Sequence, residues 1–107
     1  AARLKLQMAQ EEQADKQEMM MLELQQAANN LDEARLEVQL AEKSMVQAEE
    51  NRQLSEKQYR AGMETLSNCL EAQAAWPKAS ESLVDAQFRR YLAIVDYRRS
   101  AGLLLEP

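Results

Sequence analysis

Small residues recur at every seventh position along two stretches of this chain. The first series is Ala27, Ala34, Ala41, Ala48, Ser55 and Gly62, and the second is Ala72, Ala79, Ala86, Ala93 and Ser100. Three residues ahead of each stands a mostly larger residue: Leu24, Leu31, Val38, Met45, Arg52 and Tyr59, then Cys69, Trp76, Leu83, Arg90 and Tyr97, with Leu104 continuing the spacing. Alternating steps of three and four place each series on one helix face, which predicts a coiled-coil seam. We call these the seam residues.

The two series mirror each other about a point near residue 63. Folding the chain there places Ser55 opposite Ala72 and Ala41 opposite Ala86, so that two backbones can approach closely. We therefore predict an all-α fold, a long antiparallel two-helix coiled-coil hairpin with unequal arms. The single hairpin spans residues 1–107 and consists of one helix over about residues 2–60, a tip over about 61–65 and a second helix over about 66–101.

The longer arm leaves residues 1–22 without a partner inside the chain. This overhang carries the run Met19, Met20, Met21 and Leu22, whose apolar side chains favour contact with another surface. We therefore expect the isolated chain to self-associate. Arg3 and Lys5 lie at the positive end of the helix dipole, an unfavourable place for cations, so the helix is expected to begin upstream in a longer protein.

Composition narrows the possible functions. The chain has 107 residues, of which 29% are charged and 5% aromatic, with 2 Gly and 2 Pro, as is typical of long helices. A net charge of −5 with interspersed signs and no basic patch argues against binding nucleic acid. No His, paired Cys or glycine-rich phosphate loop is present, so we expect no enzyme, cofactor or metal site. The lone Cys69 is expected to be a small packing residue.

The turn and its flanks carry conventional helix signals. Gly62 can adopt the left-handed conformation that ends helices, and Thr65 or Ser67 can cap the next helix. Charges fit the same boundary, with the basic Lys57 and Arg60 before the turn and the acidic Glu64 and Glu71 after it. Inside the second helix, Pro77 removes one hydrogen bond and predicts a kink.

The tip string from Tyr59 to Gln73, YRAGMETLSNCLEAQ, resembles a known signature. The TolC-like outer-membrane efflux protein family has Tyr, two residues, Gly, five residues, Asp, one residue, Leu, Asp and Ala at this point. The preceding AEKSMVQAEENRQLSEKQY and the following ASESLVDAQFRRYLAIVDYRRSAGLL are similar to the family's long descending helix and shorter returning helix. The resemblance covers essentially the whole chain.

The resemblance implies the periplasmic coiled-coil segment from the second repeat of a homotrimeric channel in the cell outer membrane. In such channels the hairpins form a tunnel whose periplasmic end is a gate, and a periplasmic adaptor protein docks at the tip and links the channel to an inner-membrane pump. By this resemblance the gate residues are Tyr59, Asn68 and Glu71. The residues of the adaptor-docking tip are Gly62, Met63, Glu64, Thr65 and Leu66.

Two positions of the tip string differ from the family pattern, and three others can be explained by helix structure without a role in a gate. Glu64 replaces a basic residue found in some members and Asn68 replaces the usual Asp, so the ionic latch and the ring charge both differ. Tyr59 continues the seam series and is expected to pack there. A tight reversal alone would select Gly62, and Glu71 could simply favour a helix N-terminus.

Two other functional classes remain open. A periplasmic adaptor protein also contains an antiparallel hairpin, but we would expect nearly equal arms and flanking lipoyl-like β segments. A structural coiled coil without a transport role explains the heptads and leaves the tip string unexplained.

Overall fold

The computed structural model describes residues 1–105, and in this range the chain is an all-α antiparallel hairpin. Helix α1 spans Ala2–Arg60 (59 residues) and helix α2 spans Leu66–Leu105 (40 residues). The predicted fold class, the unequal arms and the position of the turn are therefore confirmed. The second helix continues about one turn beyond the predicted end at residue 101, because Gly102 costs only about 1 kcal/mol inside a helix and no proline follows before Leu105.

The chain divides into two compact units, each built from a stretch of both helices. One unit combines residues 1–33 with the end of the chain from Tyr91, and the other comprises Ala34–Arg90. In the unit formed by residues 34–90, Arg89 Nε donates to Glu37 Oε2 at 3.1 Å, and the Arg52 guanidinium lies 5.6 Å from the centroid of the Trp76 ring. In each contact, one partner lies one residue away from the position that the predicted mirror pairing gives it. Both contacts therefore support that pairing.

The seam residues are the most buried part of each unit. Val38 and Ala86 are 2% and 1% exposed in one unit, and Ala27 and Leu31 are buried in the other. From Leu24 to Ser55 and from Cys69 to Leu104, all seam residues are buried or half-buried. The heptad series therefore identified the buried face of both helices correctly.

The sequence made two local predictions within α2, one for Cys69 and one for Pro77. Cys69 is a free, buried thiol, with the Gln73 side-chain amide 3.9 Å from its sulfur, so its predicted packing role is confirmed. The helix continues without interruption through Pro77, which lies exposed on its surface. A bend of the helix axis at this proline stays a prediction.

Large apolar side chains also lie on the outside of the helices. On α1 these include Leu36, Leu40, Val46 and Leu54, and on α2 they include Val84, Phe88, Tyr91 and Val95. Residues 1–19 are exposed throughout, whereas Met20 is half-buried and lines an open groove together with Met21, Leu103 and Leu104. The longer α2 thus reaches part of the methionine run that the sequence left unpartnered.

Candidate functional site

The end of α1 is closed by a complete Schellman motif. The Met63 N–H donates to the Gln58 carbonyl at 2.8 Å and the Gly62 N–H donates to the Tyr59 carbonyl at 3.0 Å. Gly62 has a φ of 76°, the left-handed conformation that this motif requires. The predicted role of Gly62 in the turn is confirmed, and it satisfies carbonyls that the helix end would otherwise leave unpaired.

The start of α2 is capped by Thr65 together with Glu64. The Thr65 Oγ1 atom accepts the Asn68 N–H at 3.2 Å, which makes Thr65 the N-cap, whereas Ser67 lies inside the helix. Glu64 Oε1 accepts the Thr65 N–H at 3.1 Å and the Asn68 side-chain amide at 2.7 Å. Glu64 and Asn68, the two residues that differ from the family pattern, are therefore joined by a side-chain hydrogen bond.

Tyr59 is 42% exposed, so the expectation that it packs on the seam is wrong. The reason is geometric, because its mirror position falls at Asn68, in the capped first turn of α2, where little of the facing helix remains to cover a phenol ring. Asn68 and Glu71 are also exposed. The structure places all three proposed gate residues on the solvent-facing surface close to the turn.

Glu71 lies beyond the first turn of α2, which contains no acidic residue. The attraction between a carboxylate and a helix N-terminus is confined to that first turn. The helix-start explanation for Glu71 is therefore weakened, while Glu64, just before the helix, fulfils that role directly.

The tip also exposes apolar side chains. Met63 is 82% exposed, and Leu66 and Leu70 are exposed on the first two turns of α2. Gly62 and Thr65 are exposed as well, and Glu64 is half-buried. The five proposed docking residues thus form an accessible surface with a capped, well-defined backbone.

A second cluster lies farther along the helices, where Arg52 connects Glu49 with Trp76. Arg52 Nη2 donates to Glu49 Oε1 at 2.7 Å, and this hydrogen bond, followed by the charge of Arg52, holds the pKa of Glu49 below its ordinary value. The pKa of Arg52 is raised for the same reason. The Trp76 Nε1 atom is buried and has no hydrogen-bond partner among residues 1–105.

The seam series contains both Arg52 and Trp76, whereas the contact of Arg52 with Glu49 was missed. The available signal was the spacing of three residues between Glu49 and Arg52, which brings opposite charges together on a helix surface.

No group of three or more potential metal-ligating side chains occurs within the described range, residues 1–105. Neither described helix has a stretch long and apolar enough to cross a membrane. In comparisons with known proteins, the chain matches no family model, no curated protein and no solved structure.

Proposed function

We propose that this chain is the periplasmic tunnel and gate hairpin of a trimeric TolC-like efflux channel of the outer membrane. The observation that carries the proposal is the position of the family-like string, which coincides with the helix reversal. Its Gly is Gly62 in the left-handed conformation, and its Tyr, Asn and Glu positions are exposed around the same turn. In a structural coiled coil without a transport role, nothing would require this family-like string to lie at the helix reversal.

The outer faces of the helices support an assembly of several hairpins. A two-stranded coiled coil in water normally has polar residues on its outward positions. Here Leu36, Leu40 and Leu54 on α1 are exposed, as are Val84 and Phe88 on α2. A tunnel wall built from hairpins packed side by side would cover such residues with neighbours, so these side chains favour the channel over an isolated structural coiled coil.

The unequal helices favour a channel segment over an adaptor hairpin. Helix α1 has 59 residues and α2 has 40, whereas the adaptor interpretation expects nearly equal arms. We therefore retain the periplasmic adaptor protein and the inner-membrane pump as partners, with docking at Gly62–Leu66, rather than identifying this chain with the adaptor.

At the proposed gate, Glu71 would supply the carboxylate charge. Asn68 is neutral and its amide is held by Glu64, so three subunits would present a ring of Glu71 side chains around the entrance. Carboxylates held close together attract cations and repel one another. The expected result is a cation-preferring entrance that multivalent cations can block.

The test uses the full-length protein that contains this segment, reconstituted in planar bilayers. Glu71→Gln should reduce the cation preference and the block by multivalent cations. Glu33→Gln is the matched control, because Glu33 is also exposed but lies far from the tip on α1, and it should leave both properties unchanged. Equal effects of the two substitutions would remove Glu71 from the gate, and a protein that forms no conducting pore would contradict the channel proposal itself.

A further inference from the structure

A groove beside Trp76 lies wholly within the unit formed by residues 34–90. Its volume is about 520 Å³, within the range of about 300–1,000 Å³ that small-molecule sites in proteins occupy. Its lining residues are Met45, Val46, Glu49, Glu50 and Arg52 on α1 and Trp76 on α2. We call it the Trp76 groove.

The apolar part of the Trp76 groove comes mainly from the contact between the helices. Met45 and Trp76 are half-buried seam residues, and Val46 beside Met45 is 57% exposed. Two of the three apolar side chains therefore belong to the seam and not to the outer helix faces. A ligand with apolar groups would remove exposed surface of Val46 and Trp76 from water, which favours its binding.

The charged residues of the groove leave one negative charge without a counterion. Arg52 donates to both carboxylate oxygens of Glu49, at 2.7 and 3.3 Å, so these two side chains neutralise each other. Glu50 is exposed and forms no ion pair with any residue of the described range, 1–105. The groove therefore favours a positively charged ligand.

The indole ring of Trp76 adds a second feature that favours cations. The π face of a tryptophan ring attracts positive charge, and the Arg52 guanidinium lies 5.6 Å from its centroid. The Nε1 atom is buried, so the indole presents its ring and not its N–H to the groove. Carboxylate and aromatic ring thus lie together around apolar side chains.

We propose that the Trp76 groove binds an organic cation that carries apolar groups. Its positive charge lies near Glu50, and its apolar groups contact Met45, Val46 and Trp76. An organic anion of the same size would face Glu50 and would have to displace Glu49 from Arg52. The inference concerns a ligand site that the proposed channel does not require, and it does not rest on that proposal.

Tetraphenylphosphonium is a suitable probe, because it combines one positive charge with four phenyl groups. The chain contains one Trp, so the fluorescence of the 107-residue chain reports on this groove alone. The emission of Trp76 should change with tetraphenylphosphonium until it saturates, and calorimetry should give one site per chain. Tetraphenylborate has the same shape and the opposite charge, and it should bind at least about tenfold more weakly.

Substitutions of the two charged residues should act in opposite directions. Glu50→Gln should weaken tetraphenylphosphonium binding about threefold, as expected for one exposed charge contact. Arg52→Met should strengthen it by a similar factor, because it leaves Glu49 without its counterion and uncovers the ring. Glu33→Gln makes the same charge change as Glu50→Gln at an exposed position outside the groove, and it should have no effect.

Trp76→Leu tests whether the ring itself is part of the site. Calorimetry should show binding weakened about tenfold, while circular dichroism confirms that every variant keeps its helix content. Equal or tighter binding of tetraphenylborate would overturn the proposal, as would binding that Trp76→Leu leaves unchanged. Weakening by both Glu50→Gln and Arg52→Met would also contradict a cation site. None of these outcomes bears on the bilayer test of Glu71.

Discussion

The seam residues between α1 and α2, which we call the inner seam, and the tip continue the same heptad series, yet the inner seam is buried or half-buried and the tip is exposed. Ser55 on α1 and Cys69 on α2 are the buried seam residues nearest the turn. The next positions toward the turn, Tyr59 and Gly62, follow the spacing and face solvent. The difference teaches that a heptad series identifies the face on which a residue lies, whereas burial also requires a helix opposite that face.

The largest expected effect comes from enlarging a residue at the centre of the inner seam. Because Ala86 is only 1% exposed, Ala86→Leu should destabilise the hairpin by about 1–3 kcal/mol through overpacking. Urea unfolding followed by circular dichroism measures the change. Ala75→Leu is the control, because Ala75 lies on the same helix with its side chain exposed, and a comparable loss there would mean that burial is not the cause.

At the tip the expected effect is smaller and arises from the backbone alone. A Cβ atom added at Gly62 meets no atom within 4 Å, but the φ of 76° is unfavourable for any residue with a side chain. Gly62→Ala should therefore cost about 1 kcal/mol in thermal or urea unfolding.

Gly102→Ala provides a control of opposite sign. Gly102 lies inside α2 and also has open space around it, so alanine there should stabilise the helix by up to about 1 kcal/mol. The same sign for both substitutions would contradict the assignment of a left-handed turn at Gly62 and a helical conformation at Gly102.

The smallest effect concerns the contact between Arg52 and Trp76. A double-mutant cycle with Arg52→Met and Trp76→Leu should give a coupling of about 0.5–1 kcal/mol, as expected for a partly exposed cation–π pair. A coupling of zero would mean that the two side chains are neighbours without interacting. Gln47 and Lys78 are exposed on the two helices, and the cycle with Gln47→Met and Lys78→Leu is a control in which no coupling is expected.

Glu49 makes this contact sensitive to pH. Its folded-state pKa is lowered, first by the hydrogen bond from Arg52, so the associated stabilisation is present above the unfolded pKa of the carboxyl and is lost as pH falls through the folded pKa. In Arg52→Met, NMR titration should show the pKa of Glu49 returning toward 4.5. An unchanged pKa would exclude Arg52 as its cause.

The sequence predicted the features that depend on periodicity and on local backbone chemistry. The hairpin, its inner seam, the left-handed Gly62 and a cap at Thr65 or Ser67 all follow from residue spacing or from one residue's conformational preference, and the structure selects Thr65. The exposure of Tyr59 depends on where the opposing helix begins, which spacing alone does not specify.

Side-chain hydrogen bonds at the site were harder to anticipate than the fold. The hydrogen bonds that Glu64 accepts from the Thr65 N–H and the Asn68 side-chain amide depend on the rotamers around the turn, which residue spacing does not specify. The gate and docking roles rest on resemblance, because a ring of three subunits involves surfaces that a single chain does not contain.

The short connection between the helices determines the order in which the hairpin assembles. Only Ala61–Thr65 separate α1 from α2, so the first contact between helices closes a small loop at little entropic cost. Each further heptad adds about fourteen residues to the loop that the next contact must close. The hairpin should therefore form its helix contacts from the tip outward. Leu24 and Leu104, which line a common groove at the other end of the seam, should be the last to come together and the first to separate.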